Sequence, residues 1–151
     1  MIEKLDLILV PTDFSAYSCE AFAWAAFLAQ KLESKILILH VISEKAAEAM
    51  VSIPGNPWER VIEQEDKSIM NQFLTCLKSD FAGTPSPEPI VVAGTAHEKI
   101  VEVAKDRKAG MIIMATHGRT GFSRALMGSV AEKVVRTAPC PVFAIRPKGV
   151  L

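Results

Sequence analysis

MIIMATHGRTGFSRALMGS, residues 111–129, is the stretch whose reading decides the fold. Its first five residues are apolar at consecutive rather than alternate positions. That is the mark of a strand buried on both faces, and such strands belong to parallel sheets covered by helices on two sides. The strand runs into a loop holding Gly118, Gly121 and Gly128, the hydroxyls of Thr116, Thr120, Ser123 and Ser129, two arginines and no acidic residue. Connections in compact domains are mostly about 4–6 residues long, and longer ones tend to be functional or disordered. Glycines let a backbone approach a ligand closely and turn successive N–H groups toward it, so the loop suits a phosphate chain.

The same consecutive pattern recurs at residues 5–10, 35–41, 89–93 and 142–145, which read as four further strands. Between them, apolar residues at helical spacing predict helices over residues 16–32, 58–81, 95–108 and 129–138, with a short helix at 44–50. Ser15 is a candidate N-cap, and Thr95 with Glu98 has the spacing of a capping box. Strict alternation of strand and helix gives an α/β fold. Proline in sheets is confined to edges, bulges and strand starts. Pro89 opens the third strand and Pro141 precedes the fifth, while LILV, ILIL and MIIM carry none. Strands three and five therefore read as edges. With right-handed crossovers the order is 3-2-1-4-5, a five-stranded parallel Rossmann-like sheet with helices on both faces.

That order reverses between strands one and four, and open α/β sheets bind ligands at the carboxyl ends of strands where the order reverses. Pro11-Thr12-Asp13-Phe14-Ser15 leaves strand one there, and the glycine loop leaves strand four. The two segments are expected to meet at one crevice. Gly128, Ser129 and Val130, at the start of the last helix, would add unpaired N–H donors and the positive dipole end. Each dipole contribution is about 0.3–1 kcal/mol, whereas micromolar binding needs about 8 kcal/mol. Contacts to a base and sugar would supply much of the rest. Asp13 reads either as a residue of the helix start or as a ligand for a ribose hydroxyl or a phosphate-held metal. Gly118, Gly121 and Gly128 read either as turn and helix-start residues or as a phosphate loop, and Ser129 as an N-cap or a phosphate contact. Arg119 and Arg124 read as solvated charges beside that loop. His40 reads as a core histidine and His97 as a surface one, and His117 as a phosphate neighbour or a structural hydrogen-bonding group.

Composition narrows the function classes. The 151 residues fit one domain, 1–151, large enough to bury roughly two thirds of its unfolded surface. Seventeen basic and seventeen acidic residues leave a formal net charge of zero, so no global field draws the chain to nucleic acid or an anionic membrane. The longest apolar runs fall short of the roughly 20 residues of a membrane span. The first residues lack a secretory pattern, and a cytoplasmic location is expected. Cys19, Cys76 and Cys140 are odd in number and widely spaced, which argues against a zinc site or disulfide framework and reads as buried structural thiols. The chain has no G-x-x-x-x-G-K-[ST], no G-x-G-x-x-G after the first strand and no G-x-S-x-G elbow, and it offers no obvious nucleophile or base.

The loop THGRTGFSRALMGSVAEKVVRTAPCPVFAIRP, with VPTDFS after the first strand and ILHV at the second, resembles the ATP-binding universal stress proteins over nearly the whole chain. Their signature is G-x2-G-x9-G-[ST]. Gly118 matches its second glycine, residues 119–127 its spacer, and Gly128-Ser129 its end, while Ala115 stands where the first glycine is expected. The resemblance implies an adenine nucleotide as ligand or slow switch in a stress response, accompanied by a divalent ion such as Mg2+ or Mn2+ bound through the phosphates. It implies that Pro11, Thr12 and Asp13 line the adenosine with Asp13 toward the ribose, and that Val41 presents its backbone to the adenine. Met114 and Ala115 would lie beside base and sugar, and Gly118, Arg119, Gly128, Ser129 and Val130 about the phosphates. It also implies a homodimer in which residues 142–145 pair antiparallel with their twin, an arrangement that would remove an exposed apolar strand edge. Two alternatives stand beside it. One is a nucleotide-free stress protein acting through its dimer surface, a reading that rests on Ala115. The other is an adenylyl-transfer or ATP-pyrophosphatase enzyme, which would usually carry S-G-G-x-D-S where VPTDFS stands.

Overall fold

The computed structural model describes residues 4–119 and 126–148, so the readings placed on Thr120, Gly121, Ser123 and Arg124 lie outside the described residues. The elements follow as β1 Leu7–Pro11, α1 Ala16–Leu32, β2 Lys35–Ile42, α2 Glu44–Ala49, α3 Pro57–Gln64, α4 Lys67–Asp80, β3 Glu88–Ala93, α5 Ala96–Asp106, β4 Met111–Ala115, α6 Ser129–Thr137 and β5 Val142–Ile145. All strand pairings are parallel, and the order is β3-β2-β1-β4-β5. The prolines mark the edges as expected. Pro89 lies in edge strand β3 opposite Ile38, and Pro141, just ahead of β5, uses its carbonyl to accept from Ile112 N at 2.9 Å.

Consecutive apolar residues serve two cores because successive strand side chains point to opposite faces. Ile8, Val10, Ile36 and Ile38 bury with Phe22 and Ala25 of α1, Val61 of α3 and Phe73 of α4. Leu9, Leu37, Leu39, Ile112 and Met114 bury with Ile100 and Val103 of α5 and Ala131 and Val134 of α6. Fully burying a side chain of this kind contributes roughly 1.5–3 kcal/mol, and the central strands contribute on both faces at once. Phe73 stands edge-on to both Phe14 and Phe22, with ring centroids 4.6 and 5.6 Å away, which ties α4 to α1 and to the loop after β1.

Helix ends follow local chemistry. Ser15 caps α1, its hydroxyl accepting from Ser18 N at 3.2 Å. Asn56 and Glu59 form a reciprocal capping box at α3, with Pro57 in the first turn. The expected box at Thr95 is not formed: Thr95 occupies the N-cap position without a side-chain hydrogen bond. That turn is shaped instead by Gly94, at φ 142° and packed under the stem of Lys99. The helix expected over residues 58–81 is two helices. Glu65 is extended, with φ −78° and ψ 155°, and Asp66 starts α4 afresh by accepting from Ser68 N at 2.9 Å and Ile69 N at 3.2 Å. A short acidic side chain that bonds nearby N–H groups competes with helix continuation, and here it wins.

The break at Asp66 is testable. Asp66→Ala should lower the unfolding free energy in urea by about 1 kcal/mol, whereas Asp66→Asn, an equally good cap, should leave it nearly unchanged. Equal losses in the two variants would refute the capping role.

Candidate functional site

β1 stays paired with β2 through Pro11↔Leu39, but its pairing with β4 stops at Leu9↔Ile112. The two central strands therefore part at their carboxyl ends, where the sheet order reverses. The cavity in that gap is about 180 Å³. Its walls are the residues leaving β1 (Pro11, Thr12 and Asp13), the end of β2 (His40 and Val41), the end of β4 (Met114 to Gly118) and the first turn of α6.

Hydrogen bonds fix each wall. Thr12 N donates to Leu39 O at 2.8 Å, and the buried Thr12 hydroxyl pairs with Ser18 Oγ at 2.8 Å and accepts from Phe14 N at 3.0 Å. Asp13 joins the two loops: Oδ1 accepts from Ser15 N at 3.0 Å, and Oδ2 accepts from Arg119 N at 2.8 Å. Gly118 is required by that closeness, because a Cβ there would meet Oδ2 of Asp13. At Gly128 a Cβ would sit 2.9 Å from the Thr116 carbonyl oxygen, which accepts from Gly128 N at 2.6 Å. Gly128 is the N-cap of α6 and contributes no capping side chain. First-turn N–H groups have no intrahelical acceptor, and those of Ser129, Val130 and Ala131 belong to residues that line the cleft. The cleft thus combines a main-chain donor rim, the hydroxyls of Thr12, Ser18, Thr116 and Ser129, and an apolar floor of Leu39, Val41, Ile100 and Met114. Among the described residues, Asp13 is the single carboxylate in the lining, and no lysine or arginine joins it.

Aromatic packing supports the β1 loop from beneath. Phe14 has φ 64°, a left-handed conformation that is strained for a bulky side chain. It is held there by stacking on His40, with ring centroids 4.2 Å apart, and by Phe73 and Trp58 against its other sides. His40 Nδ1 lies 2.8 Å from Thr12 O. A carbonyl only accepts, so that nitrogen carries the proton. Burial pushes the imidazole below its ordinary value of 6.5, with the Thr12 bond and nearby carboxylates acting the other way.

Ten of the eleven site residues expected from sequence line this cleft: Pro11, Thr12, Asp13, Val41, Met114, Ala115, Gly118, Gly128, Ser129 and Val130. Arg119 does not. Its main-chain N–H holds Asp13, while its guanidinium pairs with Glu65 at the end of α3, 3.3 Å away. Ser129 is the first residue of α6 and not its N-cap. His117 is buried, with Nδ1 2.8 Å from the Thr116 hydroxyl. Sequence reasoning missed Ala96 and Ile100 of α5 as lining residues. The signal was the right-handed crossover itself, since the helix that follows edge strand β3 starts at the carboxyl side of the sheet and runs back across the face of β2 and β1, which leaves its first turns beside the cleft. Among the described residues no group of three or more His, Cys, Asp or Glu is placed to hold a metal ion, and no helix is long and apolar enough to cross a membrane.

Against known proteins, the model of the universal stress protein family matches residues 5–146. Universal stress protein MJ0531 of Methanocaldococcus jannaschii is 30% identical over 140 residues, covering 92% of this chain and 81% of its own length. MJ0577 from the same organism is 29% identical over 157 residues, and its solved structure superposes with a TM-score of 0.71 over 97% of this chain and 99% of that one. A universal stress protein solved in complex with cAMP shares the fold at 21% identity, with a TM-score of 0.68 over 97% of this chain and 100% of its own.

His40 makes the support of the site pH-sensitive. Its pKa is lower in the folded chain than in the unfolded one, so on acidification the unfolded chain takes up the proton first. Stability is therefore lost as the pH falls below about 6.5. Between about pH 7 and about pH 5.5, the wild type should lose more unfolding free energy than His40→Gln. Parallel pH profiles for the two proteins would contradict this.

Proposed function

Since the chain belongs to the universal stress protein family, we propose that the cleft between β1 and β4 holds an adenine nucleotide, ATP among them, which acts as a ligand or slow switch in a stress response. The observation that carries this reading is the main-chain rim. Gly118 and Gly128 each stand where any side chain would collide with a neighbour, and the uncapped first turn of α6 opens beside them onto the cavity. Close backbone approach plus a helix N-terminus is a general solution for phosphate oxygens. The universal stress protein complex with cAMP supports adenine as the base.

In this reading the phosphates lie on the N–H groups of Gly118, Ser129 and Val130 and the Ser129 hydroxyl. Pro11, Thr12 and Asp13 line the sugar, and a carboxylate whose oxygens each already accept one N–H retains lone pairs for a ribose hydroxyl. Val41, Met114 and Ala115 flank the base. A divalent ion, when bound, neutralises phosphate charge. A single carboxylate among the described lining residues suits an ion carried in by the phosphates better than one held by a protein cage. Fast phosphoryl transfer draws on cations aimed at the transferring group, and the described lining offers no lysine or arginine. That favours a retained ligand over rapid turnover.

We further propose that two copies pair through the β5 edges. β5 is an edge strand of apolar sequence, Val142 to Ile145, and it continues into an aromatic patch. Trp24 and Phe27 of α1 and Phe143 of β5 are 46%, 51% and 38% exposed, and Trp24 lies 5.5 Å from Phe143 between centroids. Pairing would cover both the open edge and the patch.

Two outcomes test these readings. Ser129→Asp places a carboxylate at the first position of α6, where it favours the helix dipole but repels phosphate. ATP affinity by calorimetry should fall about tenfold or more, equivalent to about 1.4 kcal/mol, with no loss of thermal stability; unchanged affinity would remove the phosphate assignment. Phe143→Glu should shift the protein toward monomer in analytical ultracentrifugation, and an unaltered association state would exclude the β5 interface.

A further inference from the structure

Cys19, near the start of α1, and Cys76 in α4 are 57 positions apart in the chain yet adjacent where these helices pack. Cys76 Sγ lies 3.7 Å from the Cys19 carbonyl oxygen and 3.2 Å from Oδ2 of Asp80, one turn further along α4. Neither thiol is sealed in the core: both are half-buried at the rim of the cluster that Phe22 and Phe73 anchor. The expectation of three buried structural thiols is corrected in its burial, since all three are half-buried, and two of them lie side by side in a way that wide spacing in the sequence concealed.

The chemistry of the pair is asymmetric. The neighbouring Cys76 thiol lowers the Cys19 thiol below its ordinary range, against burial and the carboxylates of Asp80 and Asp13, which act the other way. The proximity of Cys19 raises the Cys76 thiol, and burial and the Asp80 carboxylate add to it. A carboxylate 3.2 Å from Cys76 Sγ disfavours a negative sulfur there, so Cys19 is the thiol placed to ionise, and the thiolate is the reactive form. Cys140 stands apart from the pair, its thiol raised by burial.

We propose that Cys19 and Cys76 are a peroxide-reactive dithiol, with Cys19 as the attacking sulfur and Cys76 as the resolving one. The Cys19 thiolate attacks one oxygen of a hydroperoxide and the O–O bond breaks. Cys19 becomes a sulfenic acid, and the departing oxygen takes up a proton. The Cys76 sulfur then displaces the hydroxyl group, an S–S bond forms, and the thiol proton leaves with that hydroxyl as water. Asp80 Oδ2, already accepting from Cys76, is placed to relay this proton. With hydrogen peroxide the balance is two thiols and one peroxide giving one disulfide and two waters. The bond would staple α1 to α4 one residue away from Ser18, a residue of the cleft wall.

The reaction can be mapped directly. The reduced full-length protein is treated with stoichiometric hydrogen peroxide, alkylated in denaturant and digested with trypsin, which places the three cysteines in separate peptides, 5–31, 68–78 and 137–148. The expected product is 5–31 cross-linked to 68–78 and released by dithiothreitol, with 137–148 recovered alkylated. In Cys76→Ser the cross-link should give way to a sulfenic acid on Cys19 that dimedone traps, and in Cys19→Ser Cys76 should stay alkylatable. Recovery of 5–31 and 68–78 as separate alkylated peptides under peroxide that oxidises Cys140, or cross-linking of either to 137–148, would overturn the proposal.

Discussion

The cleft depends on one contact, the carboxylate of Asp13 gripping the main chain of Arg119. β1 and β4 have already stopped pairing where this bond forms, so Asp13 replaces the lost ladder with a side-chain strut across the gap. One oxygen holds the loop after β4 and the other holds the first turn of its own loop at Ser15. A main-chain hydrogen bond to a charged group typically contributes about 1.5–3 kcal/mol, enough to decide the relative placement of two loops that no strand pairing constrains.

Other features of the site follow from that strut. Gly118 must be glycine because the carboxylate occupies the space of its Cβ. Phe14 is forced to a positive φ as the chain turns from Asp13 into α1, a conformation that costs about 1–3 kcal/mol. Its burial among His40, Phe73 and Trp58 offsets that strain. The cleft is thus stiff on its β1 side, backed by a packed aromatic layer, and lined on the α6 side by main chain. Such an arrangement suits a ligand read by its shape and by backbone donors, with little side-chain rearrangement on binding.

Much of this was legible before any coordinates. Unbroken apolar runs implied a doubly covered sheet, and Pro89 and Pro141 identified its edges; together they set the strand order and hence which loops converge. Features that depend on competition between local and distant partners were not legible. Helical periodicity continues through Glu65 and Asp66, yet Asp66 breaks it by capping the next helix. The side chain of Arg119 turns to Glu65, a partner far away in sequence and brought near only by the fold. From sequence Asp13 reads as a helix-start residue or as a ligand for a ribose hydroxyl or a phosphate-held metal, and its role as a strut could not be inferred, since it rests on a main-chain N–H that carries no sequence signal. The meeting of Cys19 and Cys76 was hidden for the same reason: it depends on how α1 lies against α4.

Backbone amides report most directly on a claim about main-chain donors. In a 15N–1H correlation spectrum of the assigned protein titrated with ATP, the account predicts that the largest shifts fall on Gly118, Arg119, Ser129 and Val130, with smaller ones at Asp13 and Val41. Saturating ATP that leaves these amides unmoved, or that shifts only residues remote from the β1–β4 gap, would contradict it.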